Sequence, residues 1–187
     1  MSDFTRLANH FLIAMPALAD PNFHRTVTLI CEHSSEGAMG IVINRTTDLA
    51  LGDVLQQMGL NAEEAQMRTV PVHLGGPVQT NRGFVLHEPL GNWESTLPIT
   101  DTLGVSTSRD ILAAIADNQG PQHCLVALGY AGWGAGQLER EIAENSWLNG
   151  PTDRQIIFDI PIEHRWQKAA RLAGVDLSLL SSEAGHA

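Results

Sequence analysis

The chain has 187 residues, 43% of them apolar and 17% charged, and its 21 acidic against 11 basic side chains give a formal net charge of −10. That length and apolar content suit one globular domain, spanning about 1–180, that needs neither a disulfide nor a metal to hold its core. The charge opposes binding to a phosphate backbone unless the arginines gather on one face, and no apolar stretch approaches the ~20 residues that a membrane-spanning helix needs.

"NHFLIAMP" reads as a first strand, followed by an irregular "ALADPNFH" loop. The run Phe11–Ala19 ends in Ala-Leu-Ala and so imitates a secretory cleavage site. Pro16 interrupts it, Asp3 and His10 flank it, and Arg6 is the only basic side chain before it, which favours a mature strand in a cytoplasmic protein. "TVTLICEH" alternates, with Val27, Leu29 and Cys31 on one face and Thr28, Ile30 and Glu32 on the other. A "SSEGAMG" turn and the apolar "IVIN" complete a hairpin. "LALGDVLQQMG" is a short helix closed by Gly59, and "VPVHLGG" and "GFVLHE" are strands separated by "GGPVQTNR". After the polar "GNWESTLPITD" comes "LGVST".

"TSRDILAAIADNQGP" carries the clearest helical pattern: Thr107 and Asp110 fit a cap, Ile111, Leu112 and Ile115 form a stripe, and Gly120-Pro121 ends it. "HCLVALG" is apolar nearly throughout, as a strand covered on both faces would be. A helix from Gln137 buries Leu138 and Ile142. "RQIIFDIP" reads as another strand, "IEHRWQKAARLAG" as a last helix with Trp166, Ala169 and Ala173 on one side, and 181–187 as a disordered tail. Cys31 and Cys124 sit inside strand-like runs and read as buried, reduced thiols.

The segment that most resembles a functional site is "ALGYAGWGAGQLEREI", residues 127–142. An apolar run, three glycines (Gly132, Gly134, Gly136) and a helix are the parts of a phosphate cradle. The spacing does not fit one. Counting from Gly132 or Gly134, the third glycine of the dinucleotide fingerprint is replaced by Gln137 or Glu139, and the P-loop lysine and hydroxyl are absent. Glu139 and Glu141 in the first turns would also repel a phosphate, with Arg140 offsetting only part of that charge. The loop therefore reads as backbone geometry that presents Trp133, which either roofs the core or stands at a groove with Trp147 as a second wall.

Other chemistry has less support. The two helical pieces of "LGDVLQQMGLNAEEAQMR" suggest a helix-turn-helix, but the second opens with Glu63 and Glu64, where a recognition helix approaches phosphates, and Leu55 is bulky where the helices would pack. His33 lies two residues after Cys31, yet a closed metal site would need distant ligands such as His73 or His87. No Gly-x-Ser-x-Gly elbow or His-Glu-x-x-His is present, and Glu139 and Glu144 read as solvated helix positions. "HLGGPV" is a tight reversal that could also let backbone approach a ligand.

Taken in order, "HRTVTLICEH", "GAMGIVIN", "HLGGPV", "GFVLH", "LGYAGWGAGQLEREI" and "NSWL" resemble the AlgH/YqgE family of bacterial proteins over about Leu12 to Phe158. Asn44, Gly75, Gly76, Pro77, Gly129, Gly132, Trp133, Gln137, Leu138, Glu139, Glu141, Asn145 and Trp147 belong to the match. The resemblance implies an α/β sandwich around a mixed, partly barrel-like sheet, of α+β class. Most members are uncharacterised and some are labelled transcriptional regulators, a role that the acidic charge allows indirectly more readily than through DNA. The resulting expectation is a cytoplasmic interaction or indirect regulatory module without cofactor or metal, its partner a protein or a small metabolite. Trp133 and Trp147 would wall a shallow groove, Asn44, Gly75, Gly76 and Pro77 would lie near its floor with Gly132, and Gln137 and Glu141 would be polar contacts. A small-ligand protein or enzyme using the same groove is the alternative, and direct DNA binding a distant third.

Overall fold

The structure, a computed structural model, describes residues 6–61 and 69–184, with side chains to 180. These residues pack as two compact units, one formed by the chain up to Asn44 and from Ala131 onward, the other by Arg45–Tyr130. The main chain leaves the first unit at Asn44 and returns to it at Ala131.

The first unit is built on antiparallel strands β1 (His10–Ala14), β2 (Val27–Ser34), β3 (Gly37–Val42) and β10 (Trp147–Pro151), joined by the end of the long strand β9 (His123–Gly134), in the order β10-β1-β2-β3-β9. Alternation along β1 sets the layers. Leu12 and Ala14 cluster with Leu138 of α3 (Gln137–Ala143) on one face. Ile13 points the other way, where a Cβ on Gly150 would meet Ile13 and Ala173, next to α5 (Ile162–Leu172). Both faces are thus covered, which is why Thr28 and Ile30 of β2 are as fully buried as Val27 and Leu29. The expected one-sided alternation fails for that reason, and a bulge between Ile30 and Glu32 interrupts the register.

Local chemistry explains the helix that sequence reading took for a strand. "RQIIF" forms α4 (Arg154–Phe158) because Asp153 caps it, its carboxylate accepting from the Gln155 amide at 2.8 Å. Arg165 of α5 is 5% exposed and donates to Ile160 O at 2.8 Å and Ile43 O at 2.6 Å, tying the helix to the end of β3. Trp166 donates to Ala14 O at 2.9 Å and carries Arg25 over its ring. The expected tail begins inside α6 (Leu177–Ala184), and residues 185–187 lie outside the described residues.

The second unit has the strand order β4-β5-β9-β6-β8-β7, from β4 (Thr46–Ala50), β5 (Pro71–Leu74), β6 (Val78–Glu88), β7 (Thr96–Pro98), β8 (Gly104–Ser106) and the first part of β9. β5 runs parallel to β9 and the other pairings are antiparallel, so the sheet is mixed. Helices α1 (Leu51–Gln57) and α2 (Arg109–Ala116) pack their apolar stripes with Val72, Val85 and Val126 of the sheet. Ile111, Leu112 and Ile115, the stripe read from the sequence, are all buried, each contributing about 1.5–3 kcal/mol by leaving water. The cap differs from the expected one: Ser108 is the N-cap, and Asp110 accepts from the Ser108 hydroxyl and from the Glu94 and Ile111 amides. The second piece of the supposed helix-turn-helix, with Glu63 and Glu64, lies outside the described residues. Mixed α/β architecture with covered sheets is therefore the observed class.

Candidate functional site

The glycine-rich segment is a strand before it is a loop. β9 continues through Gly134, its last four residues pairing with Gly37–Gly40 of β3. Period-two alternation then puts Ala131 and Trp133 inward and Gly132 and Gly134 outward. The chain turns at Gly136, whose φ of +75° is the left-handed conformation glycine adopts without a Cβ penalty, and α3 starts at the next residue. So the glycines face solvent and the indole faces the core. The expectation of an open groove walled by tryptophans is corrected accordingly: Trp133 is 6% exposed and Trp147 3%.

Both indoles belong to an aromatic cluster with Phe23, from the loop after β1. Phe23 stacks on Trp133 with centroids 6.0 Å apart and meets Trp147 edge-on at 5.4 Å, and the two indoles meet edge-on at 6.0 Å. Their N–H groups converge on one carboxylate: Glu141 Oε1 accepts from Trp133 Nε1 at 3.2 Å and from Trp147 Nε1 at 3.0 Å. Gln137, one turn earlier on α3, donates to Glu141 Oε2 at 2.8 Å and accepts from the Gly134 amide at 3.0 Å. Glu141 is half-buried, so the anion is held by three N–H donors while part of it still meets water. An ionised carboxylate offers about four acceptor positions, and three are taken.

A second polar pair ties α3 to β2. Leu7 N donates to His33 Nδ1 at 2.9 Å, which leaves the proton on Nε2, and Nε2 donates to Glu139 Oε1 at 2.6 Å. Glu139 is thus a histidine partner, a correction to its reading as an ordinary solvated position; nothing local in the sequence signals it, because the two residues are 106 apart. Cys31 is buried, with its thiol pushed far above its ordinary value by loss of solvent, and it donates to Leu29 O at 3.6 Å. The sequence neighbours Cys31 and His33 therefore have different partners.

The remaining candidates have structural work elsewhere. Asn44 bridges β2 and the loop before it, accepting from Val27 N and donating to Arg25 O, each at 2.8 Å. Gly75, Gly76 and Pro77 belong to the second unit, where Gly75 N donates to Leu128 O at 2.8 Å. Close approach explains that loop: a Cβ on Gly129, whose φ is +79°, would run into Gly76 O and stand 3.1 Å from Val78 O.

In the same unit His87 is fully buried, its Nδ1 donating to Pro89 O at 3.0 Å and its Nε2 accepting from Ser106 Oγ at 2.7 Å, with Thr96 Oγ1 a further 2.7 Å from that hydroxyl. Burial holds His87 below its ordinary value, so the ring is neutral at pH 7. Although a serine touches a histidine here, both are 0% exposed, and the chain of hydroxyls serves to join β6, β7 and β8. Among the described residues no three His, Cys, Asp or Glu side chains gather as a metal site, and no helix is long and apolar enough to cross a membrane.

Known proteins share this architecture over the whole chain. The family model described as AlgH-like matches residues 11–178. A UPF0301 protein of Thioalkalivibrio sulfidiphilus is 57% identical over 187 residues, covering 100% of both chains, and one from Methylococcus capsulatus is 56% identical over 180 residues, covering 96% of each. The solution structure of the AlgH protein from Pseudomonas aeruginosa is 51% identical and superposes with a TM-score of 0.81, over 100% of this chain and 99% of that one. A model match spanning both units, with relatives of that identity and coverage, shows that the chain belongs to the AlgH-like family.

Proposed function

We propose that this protein is a cytoplasmic interaction module, exerting any regulatory effect through a protein partner, and that its recognition surface is the outer face of the first unit around Glu141. The observation that carries the reading is a half-buried carboxylate fixed by the Trp133, Trp147 and Gln137 donors. Such an acceptor needs no reordering when a partner binds, which lowers the entropic cost of association. Through Gln137 it is linked to Gly134, on the glycine face of β9, where absent side chains let another backbone approach. Tryptophans form the rigid backing of this surface rather than its exposed wall.

A partner segment with Arg or Lys fits the remaining acceptor position of Glu141 and the charge of −10, whereas a nucleic acid would be repelled by that charge. Exposed Ala135 lies at the turn between β9 and α3, clear of the aromatic cluster. An Ala135→Arg variant should keep its thermal midpoint and lose the partners that wild-type protein retains from its own cell lysate, and Glu141→Gln should weaken the same set. Retention of every partner by a folded Ala135→Arg protein would overturn the reading.

A further inference from the structure

The second unit contains a cavity of about 440 Å³ between α1, α2 and the sheet. Its origin can be read from the strand register. Val85 pairs with Val126 and Gly83 with Leu128, so these four positions share the sheet face that meets the helices. Three of them carry apolar side chains and the fourth carries none. At Gly83 a Cβ would find its nearest neighbour, Leu112 Cδ1, at 4.0 Å, so the space above the glycine is empty. Val54 of α1 and Met58, the residue that caps its C-terminal end, also line the cavity. Protein interiors are packed to near-crystalline density, and an apolar hollow of this size is within the range of small-ligand pockets.

One cation stands among the lining residues. Arg109, at the start of α2, is exposed and donates Nη1 to Met58 O at 2.6 Å. That bond fixes the guanidinium beside the C-terminal end of α1 and occupies one of its five N–H donors. No carboxylate pairs with it among the described residues. Gln57 and Thr107 add neutral polar groups to the same lining. The apolar walls call for a hydrocarbon chain, and the single guanidinium calls for one negative charge. A polyanion such as a nucleotide would meet one arginine in a chain of net charge −10. At roughly 30 Å³ per water-sized atom, the cavity of about 440 Å³ has room for about fifteen non-hydrogen atoms.

We propose that this cavity binds a medium-chain monocarboxylate, with its hydrocarbon tail against Val126, Leu128 and Leu112 and its carboxylate on Arg109. This site is separate from the Glu141 surface, and neither reading depends on the other.

The test is calorimetric titration of the full-length protein with decanoate and with decanol, each below its aggregation threshold. Decanoate should bind saturably at one site, and shortening it to octanoate should weaken binding about tenfold, at roughly three- to fourfold per methylene lost. Gly83→Leu, whose Cβ would have only Leu112 Cδ1 near it, at 4.0 Å, should abolish binding of both compounds while the thermal midpoint holds or rises. Arg109→Gln should weaken decanoate about tenfold and leave decanol unchanged. The Arg109 comparison stands even if Gly83→Leu does not fold. Absence of saturable binding to wild type, undiminished binding to a folded Gly83→Leu protein, or equal losses of decanoate and decanol in Arg109→Gln would each overturn the proposal.

Discussion

Removing the Glu141 carboxylate tests the central arrangement of the first unit. Glu141→Ala takes the acceptor from two indole N–H groups whose rings are 6% and 3% exposed, and from the Gln137 amide. A buried donor left without a partner costs about 1–3 kcal/mol. Glu141 is half-buried, so water can enter the vacated space and recover part of that loss. Taking the lower part of that range for each indole and nothing for Gln137 gives a destabilisation of about 2–3 kcal/mol. For a chain of this length that corresponds to a fall in Tm of roughly 4–12 °C. Glu141→Gln should cost less, about 1 kcal/mol, because its Oε1 can still accept from both indoles while its amide meets the Gln137 amide donor to donor. Urea unfolding at pH 7, followed by far-UV circular dichroism and tryptophan fluorescence, measures both variants. A Glu141→Ala protein within about 0.5 kcal/mol of wild type, or a Glu141→Gln protein less stable than Glu141→Ala, would refute the account.

Three other outcomes follow from buried contacts. Gly129→Ala combines a left-handed φ with a Cβ driven into Gly76 O, and should lower stability by at least about 2 kcal/mol in the same urea assay; a loss below about 0.5 kcal/mol would show that the β9 contact yields easily. His87 is held below its ordinary value of 6.5, so the unfolded chain binds its proton first on acidification. The stability tied to its neutral form is fully present above pH 6.5 and falls as pH drops toward the lower folded value. Wild type should therefore lose part of its advantage over His87→Gln between about pH 7.5 and 5.5, and a gap that stays constant or widens would contradict the burial argument. Arg165→Lys keeps the charge but cannot span Ile160 O and Ile43 O with one planar group, and should cost about 1–2 kcal/mol; an unchanged urea midpoint would count against the tie between α5 and β3.

Much of the local structure was legible in the sequence. Ile111, Leu112 and Ile115 recur at helical spacing and are buried in α2, and the apolar run before Gly129 is a strand with neighbours on both sides. Those readings succeed because periodicity records which face of an element meets other atoms. "RQIIF" failed because an apolar run of that length suits a strand or a helix, and the Asp153 cap decided between them. The burial of Thr28 and Ile30 on β2 was hidden because the residues covering that face come from β9 and α3, more than a hundred positions later.

The candidate site shows the same division. The sequence by itself determined that Trp133 alternates with glycines, that Gln137 and Glu141 share a helix face, and that the family's motifs occur in order. It could not determine which side of β9 is inside, because alternation fixes that two faces exist and only pairing with Gly37–Gly40 and packing by Phe23 and Leu138 choose between them. Tertiary structure alone therefore turned the indole inward, brought Trp133 and Trp147 to one carboxylate, and matched His33 with Glu139 across 106 residues. The physical reason is range: backbone conformation and face alternation are set by neighbours a few residues apart, whereas burial and hydrogen-bond partnership are set by whichever distant segment the fold brings into contact.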